Sequence, residues 1–385
     1  MTKKASYITL GCKLNYAETS TYERGFMKEG YESVPWSEKA DLYIINTCSV
    51  TEHADRKSRN IIRKIHRTAP DATVIVTGCY AQLKRAEVES LEGVSLVFGA
   101  NEKGSLVKTT LEFIDGRNVI RDNADVNDAV TFAAYSSGEE RTRSFLKVQD
   151  GCDNFCAYCT VPFARGRSRS ISIAEAVEEA KRIAASGVRE IVLTGVNTGD
   201  FGRKSGESFL DLLKALNEVE GIERYRISSI EPNLLTDEIV DWIASGTKFQ
   251  PHFHIPLQSG SDTLLKDVGR KYSTEFFASK IDYIREKMNP KPGDGSGRPD
   301  VFFGIDVIAG LPGETDELFM ETYNFLKDSV KPAFIHIFPY SRRAGTRSAA
   351  RKDQVQDCVK TKRVAMLEEL CKSLNEEFIA SQKGV

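Results

Sequence analysis

Eight cysteines stand at positions 12, 48, 79, 152, 156, 159, 358 and 371 of this 385-residue chain. Three of them fall in Gly151-Cys152-Asp153-Asn154-Phe155-Cys156-Ala157-Tyr158-Cys159, a Cys-x3-Cys-x2-Cys run. Thiolates at this spacing can hold three irons of a [4Fe–4S] cube, whose full ligation takes four cysteines. The fourth iron is then open to another ligand. Zinc competes for the same residues, but a structural zinc site wants four protein ligands and a fourth is missing locally. A metal-free packing role is the third reading.

The compartment bears on that choice. After Met1-Thr2-Lys3-Lys4 the apolar run is only Tyr7-Ile8-Thr9-Leu10, too short for the apolar region of a signal peptide. No stretch approaches the roughly 20 apolar residues that span a bilayer. No membrane association is expected, and a cytoplasmic location is the default, where thiols stay reduced rather than paired.

The elements that must position these thiols come next. Tyr7-Ile8-Thr9-Leu10, Leu42-Tyr43-Ile44-Ile45 and Val74-Ile75-Val76 read as short strands buried on both faces. Helical patterns over residues 18–29 and 54–68 lie between them. This alternation predicts an open parallel α/β sheet with crossover helices. Cys12, Cys48 and Cys79 each follow a predicted strand end. Loops at the carboxyl ends of parallel strands share one edge, where ligands bind. Three thiols distant in sequence are thus expected to converge.

A polar stretch over 116–143, with Gly116, Gly138 and Ser136-Ser137, suits a linker. Strand candidates then follow at 145–148, 190–194, 224–230, 252–257, 302–308 and 334–338, separated by helical segments. Ser172 with Glu175 forms a capping box for a helix ending at Gly187, and Thr236 opens one that stops at Gly246. Six units are too few for a closed eight-stranded barrel, so an open partial (β/α)6 barrel is expected, with its site at the strand carboxyl ends. The tail over 354–378 reads as an amphipathic helix with Leu367, Leu370, Cys371, Leu374 and Phe378 on one face. The expected domains are 1–118, linker 119–143, barrel 144–352 and carboxy-terminal helix 353–385.

Composition adds exclusions more than assignments. Hydrophobic residues make up 41% and charged residues 28%, ordinary for a chain with a sizeable core. With 53 basic against 55 acidic residues there is no global pull toward nucleic acid. Local runs do exist. Residues 51–70 carry six basic and two acidic side chains, among them Arg56, Lys57, Arg63 and Lys64. Residues 342–363 carry eight basic and two acidic, beginning with Arg342 and Arg343. Such runs suit RNA phosphates, and they also suit a solvated helix face. Arg165, Arg167 and Arg169 follow the cysteine loop and are candidates for RNA or cofactor contact.

The cysteine loop, with an aromatic residue (Tyr158) before its last cysteine and a partial barrel behind it, resembles the radical S-adenosylmethionine (SAM) superfamily. The likeness narrows with Thr160-Val161-Pro162-Phe163-Ala164-Arg165-Gly166, His254-Ile255-Pro256-Leu257-Gln258-Ser259-Gly260-Ser261, Asp306-Val307-Ile308-Ala309-Gly310-Leu311-Pro312-Gly313-Glu314-Thr315 and Phe338-Pro339-Tyr340-Ser341. These are similar to the methylthiotransferase family over nearly the whole chain.

The resemblance implies a [4Fe–4S] cluster on Cys152, Cys156 and Cys159 whose open iron chelates SAM. A reduced cluster cleaves SAM to a 5′-deoxyadenosyl radical, which takes hydrogen from an unactivated carbon. It implies a second [4Fe–4S] cluster on Cys12, Cys48 and Cys79 that carries the sulfur to be methylated and delivered. An external one-electron reductant and a sulfur source are implied partners. By position, Thr194, Gly195 and Asn197 are expected near the SAM amino group. Glu231, Gln258 and Ser259 are expected near its ribose or carboxylate, and Gly310 near its adenine. Each is equally readable as a loop cap or turn.

Family members act on isopentenyladenosine in tRNA, on threonylcarbamoyladenosine in tRNA, or on an aspartate of a ribosomal protein. Gly11-Cys12-Lys13-Leu14-Asn15 and Thr194-Gly195-Val196-Asn197-Thr198-Gly199 look most like the threonylcarbamoyladenosine group, which modifies position 37 beside the anticodon. The family's carboxy-terminal RNA-binding β-barrel is expected to be absent from this chain. A Pro/Gly-rich loop over 289–300 looks longer than the family's usual one. The rival reading from another class is a non-catalytic iron–sulfur or zinc protein that binds RNA.

Overall fold

The computed structural model describes residues 2–119, 125–130, 133–136, 142–290 and 299–383. Ser137 and Gly138 of the expected linker and residues 291–298 of the Pro/Gly-rich loop lie outside the described residues. The chain divides into two compact units. The first comprises Met1–Asp153, Cys159–Val196 and Phe201–Ile222. The second comprises Asn154–Tyr158, Asn197–Asp200 and Glu223–Val385.

In the first unit, strands Lys4–Thr9, Leu42–Thr47 and Thr73–Gly78 form the middle of a five-stranded sheet, flanked by Glu32–Ser33 and Leu96–Val97. Every pairing is parallel. Both faces are covered, which is why the central strands read as unbroken apolar runs. Tyr43, Ile45, Val74 and Val76 pack on one side with Ile62 and Ile65 of helix Glu52–Thr68. Leu42, Ile44 and Ile75 pack on the other with Tyr22 and Phe26 of helix Lys13–Lys28.

That second helix begins five residues earlier than its apolar pattern indicates, directly after Cys12. Asn15 explains the early start: its Nδ2 donates to the carbonyls of Leu10 (2.7 Å) and Thr47 (3.0 Å), tying the first turn to two strand ends. A buried polar contact of this kind carries no hydrophobic signal.

The strands expected later are found at Ser144–Lys147, Glu190–Thr194, Arg224–Ile227, His252–Gln258, Phe302–Ala309 and Phe334–Pro339, and the short strands Ala134–Tyr135, Gln149–Asp150 and Arg169–Ser170 join them. Helices alternate with them, as expected for a β/α barrel type of chain. The third strand ends at Ile227 rather than 230, and beyond it Ser229 forms an isolated bridge with His254. Ser172 and Glu175 form the expected capping box, and Thr236 caps Ile239 N–H. In the second unit, His252–Gln258, Phe302–Ala309 and Phe334–Pro339 make a parallel three-stranded sheet. The tail forms helix Asp357–Ser381, and Cys371 is buried on it with its sulfur 3.2 Å from the Ile335 amide.

Candidate iron–sulfur and cofactor site

Cys12, Cys48 and Cys79 stand at the carboxyl ends of three adjacent strands, so the sheet brings them to one edge. Two glycines make the approach possible. A Cβ on Gly11 (φ +92°) would lie 2.6 Å from Cys48 Cβ and 2.8 Å from its sulfur. A Cβ on Gly78 (φ +96°) would lie 2.2 Å from the Thr47 carbonyl oxygen. Burial pushes the Cys48 thiol up to about 12, with Cys79 and Cys12 adding to the rise. Burial likewise raises Cys79. Metal ligation requires thiolates, so cations bound among these sulfurs would offset the cost of ionising buried Cys48 and Cys79. The set can hold three irons.

Behind this edge lies a buried ionic network. Glu18 Oε1 meets Lys147 Nζ at 2.9 Å and Arg165 Nη1 at 3.3 Å, while Oε2 meets Lys103 Nζ at 2.8 Å. Asp150 receives Arg165 at 2.8 Å, Lys147 at 3.2 Å and Arg169 at 3.3 Å. Burial alone would push the Glu18 carboxyl up, but Lys103, Lys147 and Arg165 overcome it and hold it well below the usual carboxylate range. Asp150 behaves the same way under Arg165, Lys147 and Arg169. Arg165 Nη2 donates to Asn15 Oδ1 and lies 3.9 Å from Cys12 Sγ. Arg165 is therefore no surface phosphate contact. It is buried, and its guanidinium joins the cysteine edge to the network.

The Cys152–Cys159 loop is held at several points. Cys152 N–H donates to the Gly166 carbonyl at 3.1 Å, and a Cβ on Gly151 (φ +69°) would strike the Arg167 carbonyl at 2.1 Å. The Val161 amide, at the start of helix Val161–Arg165, points at Cys159 Sγ from 3.4 Å. In the second unit, Arg270 Nη1 lies 3.3 Å from Cys156 Sγ and 2.9 Å from Glu231 Oε1. Glu231 also accepts from Asn154 Nδ2 at 2.8 Å, and its own amide donates to Asn197 Oδ1 at 3.2 Å. N–H donors aimed at sulfur suit thiolates bound to metal and tune them.

The other expected cofactor residues divide. Glu231 and Asn197 are joined beside Cys156, and Tyr158 packs with Leu264 and Val268. Gln258 adopts φ +73°, a conformation uncommon for a non-glycine residue, where the strand's register with Phe302–Ala309 shifts. Ser259 meets Thr322 at 3.0 Å, the Gly310 amide is taken by Glu314 at 2.8 Å, and Thr194 bonds back to Val192 at 3.0 Å. Each of these three polar groups has a partner within the fold. Gly195 follows directly on the strand that ends at Thr194.

Arg56, Lys57, Arg63 and Lys64 lie on the exposed side of helix Glu52–Thr68, and Lys64 sits 4.3 Å over the Trp36 ring. Arg167 is exposed near Asp153, and Arg342 is exposed with its Nε on the Ala349 carbonyl. Arg343 is buried and does not offer its charge to a phosphate. Sequence reasoning missed Arg270, whose isolated charge gives no signal without the fold. It also missed the grouping of His254, Asp306 and His336.

Comparison with known proteins fits this geometry. Residues 4–99 match the model described as "Uncharacterized protein family UPF0004", and residues 146–326 match the radical SAM superfamily. The Bacillus subtilis protein named threonylcarbamoyladenosine tRNA methylthiotransferase MtaB is 40% identical over 98% of this chain and 82% of its own length. The Aquifex aeolicus protein of that name is 37% identical over 99% of this chain and 91% of its own. The tRNA-2-methylthio-N(6)-dimethylallyladenosine synthase of Carboxydothermus hydrogenoformans is 32% identical, covering 100% of this chain and 87% of its own. Among solved structures, the radical SAM methyltransferase TsrM of Kitasatospora setae aligns at TM-score 0.63 and 16% identity over 91% of this chain and 77% of that one, a likeness of fold.

Proposed function

The chain belongs to the tRNA methylthiotransferase family of radical SAM enzymes, and we propose that it replaces the C2 hydrogen of threonylcarbamoyladenosine in tRNA with a methylthio group. The observation that carries the substrate is the 40% identity to a relative named for it, sustained along 98% of the chain. A [4Fe–4S] cluster with SAM supplies one-electron cleavage and hydrogen abstraction when bound.

The chain's own residues do the holding. Cys152, Cys156 and Cys159 are assigned to that cluster, with Arg270 and the Val161 amide as donors to the sulfurs. Glu231 and Asn197 are assigned to SAM, being fixed beside Cys156. Cys12, Cys48 and Cys79 are assigned to a second [4Fe–4S] cluster, supported by their shared sheet edge and by Gly11 against Cys48. Balance of atoms and electrons requires an external reductant and a sulfur source. Exposed Arg56, Lys57, Arg63, Lys64, Arg167 and Arg342 are assigned to tRNA phosphates. Among the described residues no helix is long and apolar enough to cross a membrane.

The test is anaerobic reconstitution followed by reaction with SAM, reductant and threonylcarbamoyl-tRNA. Two cubane clusters require about eight irons per chain, and product tRNA must carry the methylthio nucleoside. A chain that takes up iron but modifies only dimethylallyl-tRNA overturns the substrate assignment.

A further inference from the structure

Within the first unit, helix Val161–Arg165 packs against the short helix Cys79–Leu83, whose first residue is the third cysteine of the sheet edge. Arg165 closes the former helix and is fixed from another side by Asn15. The Asn15 Oδ1 accepts from Arg165 Nη2, while its Nδ2 holds the carbonyls of Leu10 and Thr47. Leu10 stands two residues before Cys12, and Thr47 directly precedes Cys48. One guanidinium is thereby set among the segments that present all three cysteines. Its charge acts on Cys48 and Cys79 as well as on Cys12, whose sulfur lies 3.9 Å away.

The network behind Arg165 is unbalanced. Among the described residues it joins four cations, Lys103, Lys147, Arg165 and Arg169, to two carboxylates, Glu18 and Asp150. Apart from Arg169, none of these residues is more than 4% exposed. Burial draws Lys103 toward its neutral form, and Glu18 at 2.8 Å opposes that pull. A guanidinium keeps its proton in a protein.

Buried charge is costly unless an opposite charge shares the space, and solvent screens little there. A network serving the fold alone gains nothing from a surplus of cations. The three cysteines beside Arg165 supply the matching anion. A [4Fe–4S] cluster held by three thiolates is negatively charged, and reduction adds one more negative charge. The net charge around such a cluster and the hydrogen bonds to its sulfurs set its reduction potential. Lys103 belongs to the same field, since its charge also acts on Cys79.

We propose that the cation surplus, carried by Arg165 and Lys103, is the built-in counter-charge of the cluster on Cys12, Cys48 and Cys79 and raises its reduction potential. This rests on the second-cluster assignment above. Both side chains are positioning residues that act on the cluster through their charge. The test is an anaerobic redox titration of the reconstituted full chain, followed by electron paramagnetic resonance. The signal that persists in Cys156→Ala and is lost in Cys12→Ala belongs to this cluster.

At a fixed applied potential the reduced-to-oxidised ratio is expected to fall about tenfold in Lys103→Met, a shift of about 59 mV for one electron. Removing an anion acts the other way, so the ratio is expected to rise by a similar factor in Glu18→Gln. The double variant Glu18→Gln/Lys103→Met keeps the parent's net charge and is expected to lie within about twofold of the parent. Loss of packing alone has no reason to move the two single variants in opposite directions. Unchanged ratios, or shifts of one sign in both, overturn the counter-charge, and so does a double variant displaced as far as either single one. If a single variant does not load iron at this cluster, the double variant decides: loading with the parent's potential supports charge balance, and failure to load overturns it. A parent whose Cys12→Ala variant loses no iron overturns the second-cluster assignment instead.

Discussion

Glu18, on the helix that starts at Cys12, places its carboxylate 2.9 Å from the Lys147 ammonium on strand Ser144–Lys147, with both side chains at 1% exposure or less. A buried pair of this kind is stable only while complete. Removing one partner leaves the other charged and desolvated, at a cost of about 3–5 kcal/mol. Glu18→Gln leaves Lys103, Lys147 and Arg165 without their shared counter-charge, so the unfolding free energy from urea titrations is expected to fall by that amount. A loss below about 1 kcal/mol contradicts the network's role.

The same network sets a pH dependence. Glu18 and Asp150 are held below their ordinary values in the folded chain by neighbouring cations that outweigh burial. A lowered folded value means the stabilisation is fully present above the unfolded range near pH 4–5 and is lost as pH falls toward the folded values. The stability gap between the wild type and Glu18→Gln is therefore expected to be constant from neutral pH down to about pH 5 and to shrink below it. Urea midpoints measured across that range check the sign.

Arg165 links the network to the cysteine edge through its 3.9 Å approach to Cys12 Sγ. Cys12→Ala is expected to lose about four of roughly eight irons, one cubane cluster, while SAM cleavage continues at the other. Arg165→Ala is expected to lower the same iron fraction. Iron and sulfide analysis paired with 5′-deoxyadenosine release separates these outcomes from general unfolding, which abolishes both.

The exposed helix Glu52–Thr68 gives a salt-dependent prediction. Replacing Arg63 and Lys64 together by alanine removes two phosphate contacts, so the slope of log affinity for tRNA against log salt is expected to drop by roughly 1.5. Binding titrations at several salt concentrations measure it. Arg343→Ala, at a buried position, is expected to leave the slope unchanged.

Legibility in the sequence follows range of interaction. The first sheet is readable because strands covered on both faces need continuous apolar runs, as in Leu42–Ile45, and because each such run ends at a cysteine. The capping box at Ser172 and Glu175 is readable because it closes within one turn. The ionic network is not readable. Glu18, Lys103, Lys147 and Arg165 are scattered along the chain, and charge alone makes Arg165 look like an RNA contact. Only its burial beside Asn15 and Asp150 shows otherwise. His254, Asp306 and His336 escape notice likewise, because a shared face emerges only once strand register is known.

Nucleoside analysis of tRNA from a strain lacking the gene shows whether this chain installs a methylthio group on threonylcarbamoyladenosine. The methylthiolated nucleoside is expected to disappear while its unthiolated precursor accumulates. The wild-type gene restores the product, and Cys156→Ala does not. Persistence of the methylthio nucleoside in the deletion strain, or loss of the methylthiolated dimethylallyl nucleoside in its place, would show that threonylcarbamoyladenosine is not the substrate.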